Sequence, residues 1–176
     1  SILNSFVKRK DWADLENYLS KMSKSIPSSE LKLCENNAID GVAGHYYHRY
    51  KDLEIPCVFK LELPKELSVS EIDICLVLSN LLENALEASM RTAPDKRRIT
   101  VLARMHSDNV VLIKVENFYN GVVKEKNGIF ESSKHSGEGI GTQSVRRIAE
   151  KGGGYCRFTQ KDGIFTADVM LRGKSK

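Results

Sequence analysis

Two segments of this 176-residue chain carry side chains whose types and spacing suit phosphate chemistry. In the first segment, Asn80 and Asn84 are one helical turn apart in a run that is otherwise mainly apolar. Asparagine forms helices poorly, so two of them inside one helix need a reason. Carboxamide oxygens one turn apart are suitable ligands for a hard cation such as Mg²⁺ and for the phosphates that it carries. This spacing therefore indicates a metal-phosphate site on one helix.

The two asparagines belong to a narrow polar stripe on that helix. At 3.6 residues per turn, the stripe falls within a wedge of roughly 60° and comprises Asp73, Asn80, Asn84, Glu87 and Arg91. The rest of the surface is apolar and carries Ile74, Val77, Leu78, Leu81, Leu82, Ala85 and Leu86. A solvated outer face would be richer in Lys and Glu, so we favour a stripe that faces a ligand over one that faces water.

The second segment is a glycine-rich run from Gly137 to Thr142, preceded by Ser133 and Lys134. Glycines at alternate positions let the backbone approach a ligand closely. The run opens into a helix whose first N–H groups and dipole favour an anion, and Lys134 adds a positive charge just upstream. On its own, the run is equally well explained as a flexible hinge.

Two familiar glycine motifs are absent from this chain. The dinucleotide fingerprint needs its glycines directly after a strand, but a polar loop precedes this run. A P-loop needs GxxxxGK[ST]; Gly173-Lys174-Ser175 supplies the end of that motif, but position 168 is Asp instead of Gly.

Composition excludes several classes of protein. A hydrophobic fraction of 41% allows a sizeable core and excludes wholesale disorder. The net charge of +4 is too small to indicate nucleic acid as a partner. The apolar run Ile74–Leu78 is far shorter than the roughly 20 residues that span a bilayer. We therefore expect no membrane contact in this fragment. The N-terminal segment has no apolar stretch, so we expect no signal peptide. The chain begins with Ser1 instead of Met, so we expect a fragment or processed product. Four cysteines without a CxxC pair fit a reducing cytoplasm.

Periodicity predicts an α+β fold with a helical extension at the N-terminus. The predicted helices are 2–24, a second one from Pro27 or Ser28 to about Tyr50, Ser70–Met90 and Thr142–Lys151. The predicted strands are 55–64, 98–105, 110–116, 155–160 and 164–171, with a long polar loop over 117–136.

Together, the two segments resemble the ATP-binding domain of the GHKL superfamily, the Bergerat fold found in sensor histidine kinases, DNA gyrase and MutL. Asn80-Leu81-Leu82-Glu83-Asn84-Ala85-Leu86-Glu87-Ala88 is similar to the N box of that family. Gly137-Glu138-Gly139-Ile140-Gly141 is similar to its second glycine box, and Ser132-Ser133-Lys134 is similar to the end of its ATP lid. Within the family, the chain resembles the peptide-pheromone quorum-sensing histidine kinases, in which a segment like Asn36-Asn37-Ala38-Ile39-Asp40 precedes the ATP domain.

The resemblance implies a two-layer α/β sandwich, with a mixed and mainly antiparallel sheet covered on one face by helices. It also implies ATP and Mg²⁺ as cofactors. Asn84, with Asn80, would hold the metal, and Asn117 would read the adenine amino group. Lys134 and Ser133 would close over the γ-phosphate. The remaining nucleotide-binding positions would be Glu87, Gly137, Glu138, Gly139, Ile140, Gly141 and Thr142.

Three residues depart from the family pattern. Asn117 stands where the family has an Asp, Tyr119 replaces a glycine of the first glycine box, and Glu87 stands where many kinases have Lys or Arg. Tyr119 and Asn117 motivate one alternative, a degenerate nucleotide-binding module that acts in dimerisation or signalling. A second alternative is a serine-phosphorylating anti-sigma factor on the same fold.

The resemblance places the histidine that accepts the phosphoryl group upstream of Ser1. Residues 1–50 would be the remnant of the dimerisation region and its linker, and residues 51–176 the ATP-binding domain. The expected partners are ATP, a response regulator, the upstream dimerisation and phosphoacceptor region, and a second copy in a full-length homodimer. We expect the domain in the cytoplasm, in a protein anchored to the membrane through its missing N-terminal part.

Overall fold

The computed structural model describes residues 31–119, 125–126, 129–130 and 140–174, together with residue 17. Its helices are α1 (Asn37–Asp52), α2 (Glu71–Met90), a short 3₁₀ helix (Pro94–Lys96) and α3 (Ile140–Lys151). Its strands are β1 (Cys57–Glu62), β2 (Ile99–Ser107), β3 (Val110–Phe118), β4 (Glu125–Lys126), β5 (Ile129–Phe130), β6 (Tyr155–Lys161) and β7 (Ile164–Arg172).

Five strands form one mixed sheet in the order β1-β2-β3-β7-β6. Strand β1 runs parallel to β2, and the other neighbouring pairs are antiparallel. On β3, the residues Val111, Ile113 and Val115 are buried, whereas the alternating Leu112 and Lys114 are half-buried, as expected for a sheet with helices on one face. The predicted α+β class and the mixed sheet are confirmed.

Helix α2 is the central element of the core. Ser70 caps it by accepting a hydrogen bond from the backbone N–H of Asp73 at 3.2 Å, and the predicted start and end of this helix are correct to one residue. Its apolar side chains Ile74, Leu78 and Leu82 are at most 1% exposed. The hydrophobic stripe that identified the helix therefore packs against the sheet and α1.

Helix α1 begins at Asn37, about ten residues later than predicted. Asn36 caps it, and the Asp40 carboxylate accepts hydrogen bonds from the N–H groups of Leu33 and Cys34 at 2.7 and 3.1 Å. Asn36 also donates to Glu71 Oε1 at 2.7 Å and to the Lys65 carbonyl at 2.9 Å. These bonds hold residues 31–36 outside the helix, and local helix propensity does not reveal them.

Helix α1 shares one hydrophobic core with α2 and β1, through side chains such as Ile39 and Tyr50 that have no exposed surface. The division of the chain at residue 50 stays a prediction. Apart from residue 17, the predicted helix over residues 2–24 lies outside the described residues.

The remaining connections follow the turn residues. Asp162 and Gly163 have positive φ values of 53° and 75°, as a tight hairpin turn between β6 and β7 requires. Gly153, with φ of 76°, ends α3. The predicted loop over 117–136 is wrong in part, because β4 and β5 pair within it. Within the residues that the structure describes, no helix is both long and apolar enough to cross a membrane.

Candidate nucleotide site

Asn80 and Asn84 lie on α2 as the sequence predicts. Asn80 is 4% exposed, and its amide nitrogen donates to the Leu76 carbonyl at 2.8 Å. This bond fixes the orientation of the amide, so its oxygen is turned away from that carbonyl. Asn84 is half-buried one turn further along. The pair therefore presents amide groups from a rigid, buried helix.

Asn84 meets the start of α3 at Gly141. A Cβ atom built on Gly141 would lie 3.1 Å from Asn84 Oδ1 and 3.2 Å from Nδ2, which is closer than side chains ordinarily pack. Glycine at this position is what lets the two helices come together around the amide. The structure thus brings Asn84 to the last glycine of the predicted second glycine box, fifty-seven positions later in the chain.

The polar stripe of α2 faces α3 at its other end too. Burial raises the pKa of Asp73, in the first turn of α2, while the ammonium group of Lys151 at the end of α3 acts on it in the opposite direction. Asn84 lies beside the start of α3, and Asp73 interacts electrostatically with Lys151 at the end of α3. The two helices are therefore antiparallel. Two residues of the stripe, Asp73 and Asn84, therefore lie beside a neighbouring helix, whereas Arg91 is exposed.

Asn117 is placed at the end of β3, on the sheet face that the helices cover. It is 4% exposed and continues the alternation of Val111, Ile113 and Val115. Its amide nitrogen donates to the Phe118 carbonyl at 3.0 Å, and its strand neighbours are Ile99 and Phe165.

Thr92, just beyond α2, ties the end of that helix to the end of β3. Its hydroxyl donates to the Ala88 carbonyl at 2.8 Å and lies 3.4 Å from the Phe118 carbonyl. Asn117 therefore lies near the C-terminal end of the helix that carries Asn80 and Asn84. The sequence analysis missed Thr92; the sequence offered only a hydroxyl residue one turn after the N-box segment, and its burial is seen in the structure.

The other predicted positions divide into two groups. Glu87 is half-buried on α2, Ile140 begins α3, and Thr142 is 8% exposed in its first turn. The remaining predicted residues lie outside the described residues, so their roles stay predictions: Ser133, Lys134, Gly137, Glu138 and Gly139.

Tyr119, which replaces a family glycine, lies against the β6–β7 hairpin. Its backbone N–H donates to the Gly163 carbonyl at 3.0 Å, and its hydroxyl donates to Gln160 Oε1 at 3.1 Å. The tyrosine is therefore held on the hairpin by two hydrogen bonds at the end of β3.

The candidate metal ligands at this site are the side-chain amides of Asn80 and Asn84. Among the residues that the structure describes, no group of three or more His, Cys, Asp or Glu side chains could hold a metal. Amide oxygens, with phosphate and water as further ligands, suit Mg²⁺, which keeps several waters and binds few protein groups. The glycine at position 141 fits such an arrangement, because a side chain there would crowd the Asn84 amide.

A family model described as the GHKL domain matches residues 69–172, which is more than half of the chain. The chain belongs to the GHKL family. The match includes α2, all of the sheet except β1, and α3, and this membership supports ATP binding and a kinase or ATPase type of enzyme.

One relative of the chain is a sensor histidine kinase. The chain is 28% identical over 169 residues to the sensor histidine kinase HprS of Escherichia coli, covering 91% of this chain and 34% of that protein. It thus spans about a third of the length of this curated relative.

Solved structures share the fold of the chain. The nucleotide-free catalytic domain of histidine kinase ThkA matches with a TM-score of 0.59 at 19% identity, over 78% of this chain and 92% of that one. The mycobacterial sensor histidine kinase MprB matches with a TM-score of 0.55 at 17% identity, over 78% and 95%. These GHKL comparisons leave open the quorum-sensing subtype, which stays a prediction.

Proposed function

We propose that this GHKL chain is the ATP-binding catalytic part of a two-component sensor histidine kinase. In this proposal, it transfers the γ-phosphoryl group of ATP to a histidine upstream of Ser1, and a response regulator then receives the group. The observation that supports it most is the contact between Asn84 and Gly141, because it brings the two chemistry-bearing segments of the sequence to one place. The similarity to the sensor histidine kinase HprS supports the same class.

The described residues would share the work of binding. Asn84 and Asn80 would hold Mg²⁺, which when bound neutralises charge on the triphosphate. The side-chain oxygen of Asn117 would accept a hydrogen bond from the adenine amino group, since its nitrogen already donates to Phe118. The first N–H groups of α3, around Gly141 and Thr142, would face the phosphates.

The other predicted nucleotide contacts extend this proposal. Glu87 adjoins the pair on the α2 stripe, and Ile140 begins α3. We propose that Lys134 and Ser133 close over the γ-phosphate, and that Gly137, Glu138 and Gly139 carry the backbone past it. Phosphoryl transfer depends mainly on positioning and charge neutralisation, which are the tasks that these groups would perform.

For the longer protein, we propose a homodimer anchored in the membrane with this domain in the cytoplasm. Residues 1–50 would be the link to the dimerisation region that carries the phosphoacceptor histidine, and residues 51–176 the ATP domain. The reaction would then need both parts, so this chain alone would bind ATP without completing the transfer.

Nucleotide binding by calorimetry tests the proposal. The chain is expected to bind ATP saturably and more tightly with Mg²⁺. Asn84→Ala is expected to weaken Mg·ATP by at least about tenfold, since losing a contact with a charged group costs roughly 1.5–3 kcal/mol. Asn37→Ala, at an exposed position on α1, is the matched control and should bind like the unchanged chain. Absence of saturable Mg·ATP binding would contradict the proposal.

Transfer is tested with the longer protein that includes the upstream region. Acid-labile, alkali-stable phosphate on that region, lost in Asn84→Ala, is the result that the histidine kinase proposal expects. Phosphoserine on a small partner would indicate the anti-sigma alternative. Signalling that persists in Asn84→Ala would indicate the degenerate module.

A further inference from the structure

A buried hydroxyl on α1 holds the helix that carries the two asparagines. Tyr46 is 5% exposed, and its hydroxyl donates to Glu83 Oε2 at 2.9 Å. The same hydroxyl lies 3.3 Å from the Ser79 hydroxyl. Ser79 is 1% exposed, so the Tyr46–Ser79 part of this contact is buried, whereas the Glu83 side chain is 27% exposed.

The two residues that Tyr46 contacts are themselves one turn apart on α2. Ser79 directly precedes Asn80, and Glu83 directly precedes Asn84. Successive residues of an α-helix are rotated by about 100°, so the contacted pair and the amide pair lie on adjacent faces of the same two turns. A rotation or shift of α2 that relaxed the Tyr46 contact would therefore move both amides together.

Two further contacts strengthen the attachment at this level. Arg49 lies 3.3 Å from Glu83 Oε2, which holds the carboxylate in place from the solvent side. Tyr50 donates to the Leu82 carbonyl at 2.7 Å and has no exposed surface. Helix α1 thus contacts α2 through side chains at three positions between Ser79 and Glu83.

We propose that Tyr46 is a positioning residue for the Asn80–Asn84 pair, acting through Ser79 and Glu83, and that it sets the contribution of Mg²⁺ to ATP affinity. This inference rests on the proposed function, because it concerns the same site. A hydroxyl on α1, outside the matched family segment, would then determine how well two amides on α2 meet a magnesium-bearing phosphate.

Tyr46→Phe tests this role because it removes only the hydroxyl. The measured quantity is the ratio of ATP dissociation constants without and with Mg²⁺. Losing one partly buried hydrogen bond is expected to lower this ratio by about fivefold while metal-free affinity stays within a factor of about two. A purely structural role would instead lower the melting temperature and leave the ratio unchanged, and that result would overturn the inference.

The matched control is Tyr47→Phe on the same helix. The Tyr47 ring packs against Phe59 at 5.7 Å, and its hydroxyl makes no hydrogen bond within the part of the chain that the structure describes. This variant should leave the ratio unchanged; an equal loss in both variants would overturn the inference. Glu83→Gln keeps an acceptor for Tyr46 while removing the charge that faces Arg49, so it should preserve most of the ratio.

A second measurement separates this inference from the proposed function. The side-chain amide NMR signals of Asn80 and Asn84 are expected to shift in Tyr46→Phe and to remain in place in Tyr47→Phe, with no nucleotide present. Unchanged signals in both variants would contradict the positioning role. If the unchanged chain fails to bind Mg·ATP, the proposed function fails, whereas the NMR result still decides whether Tyr46 positions the pair.

Discussion

Helix α2 has two helical neighbours and meets them through different chemistry. Toward α1, its polar groups are engaged by side chains at short distances, as Tyr46 with Glu83 and Tyr50 with the Leu82 carbonyl. Toward α3, it places Asn84 against Gly141, which contributes no side chain of its own. One side of α2 is therefore fixed by intramolecular hydrogen bonds, and the other is the side on which the proposed ligand would bind.

Gly141→Ala should have the largest effect on the ligand-facing side. The added methyl group would lie about 3.1 Å from Asn84 Oδ1, so the amide would have to move by a few tenths of an ångström. The affinity for Mg·ATP should fall at least about tenfold. The free energy of unfolding should change little, because alanine is more favourable than glycine in a helix by roughly 0.5–1 kcal/mol and this gain offsets the strain. Calorimetry and urea unfolding check the two quantities.

Gly163→Ala is the opposing control for this change. Nothing lies within 4 Å of its Cβ position, but its φ of +75° strains an L-residue. The free energy of unfolding should fall by about 1–2 kcal/mol, while the affinity for Mg·ATP should not change. Equal loss of affinity in both glycine variants would show that the Asn84–Gly141 contact is not what supports binding.

Tyr50→Phe should produce the next largest effect, on the fixed side of α2. Removing a fully buried hydroxyl from the Leu82 carbonyl is expected to lower the free energy of unfolding by about 1 kcal/mol. Urea unfolding beside Tyr47→Phe measures the difference. Equal stability of the two variants would mean that the α1 side is held by apolar packing alone.

Asp73→Asn should produce the smallest effect. Because burial raises the pKa of Asp73, the folded chain holds this proton more tightly than the unfolded chain. Its contribution to stability is therefore complete at low pH and is lost as pH rises through the folded pKa. The amide should stabilise the protein by a few tenths of a kcal/mol at about pH 7 and give no gain at about pH 3, because the group is only half-buried.

Unfolding curves of the Asp73→Asn variant at the two pH values provide the measurement. A gain that persists at low pH would contradict a protonation cause. A loss at neutral pH would instead show that the attraction of Lys151 and the first turn of α2 outweighs the cost of burial.

The local pattern of apolar, capping and turn residues was sufficient to predict α2 and the β6–β7 hairpin. The spacing of apolar residues and the Ser70 cap predicted α2 to within one residue, and the turn residues before Ile164 predicted the β6–β7 hairpin. These features depend on contacts between residues close in sequence or on one-sided burial, and both leave a periodic signal.

Polar contacts between residues distant in the chain could not be predicted from the sequence. The late start of α1 depends on Asn36 reaching Glu71, thirty-five positions away, and on Asp40 holding the N–H groups before it. Tyr46 reaches Ser79 and Glu83 across a helix interface in the same way. Such bonds leave no period in the sequence, because either partner alone is an ordinary polar residue.

The parallel pairing of β1 with β2 has a mechanical consequence. Parallel neighbouring strands need a crossover connection, and here α2 lies in that connection. It is therefore linked to β1 at one end and to β2 at the other. Helix α3 has a short link at one end only, through Gly153 to β6, with the long 119–139 connection at the other. Helix α2 is therefore joined to the sheet by short links at both of its ends, whereas α3 has such a link only at its C-terminal end, so α2 should be the more firmly held of the two helices.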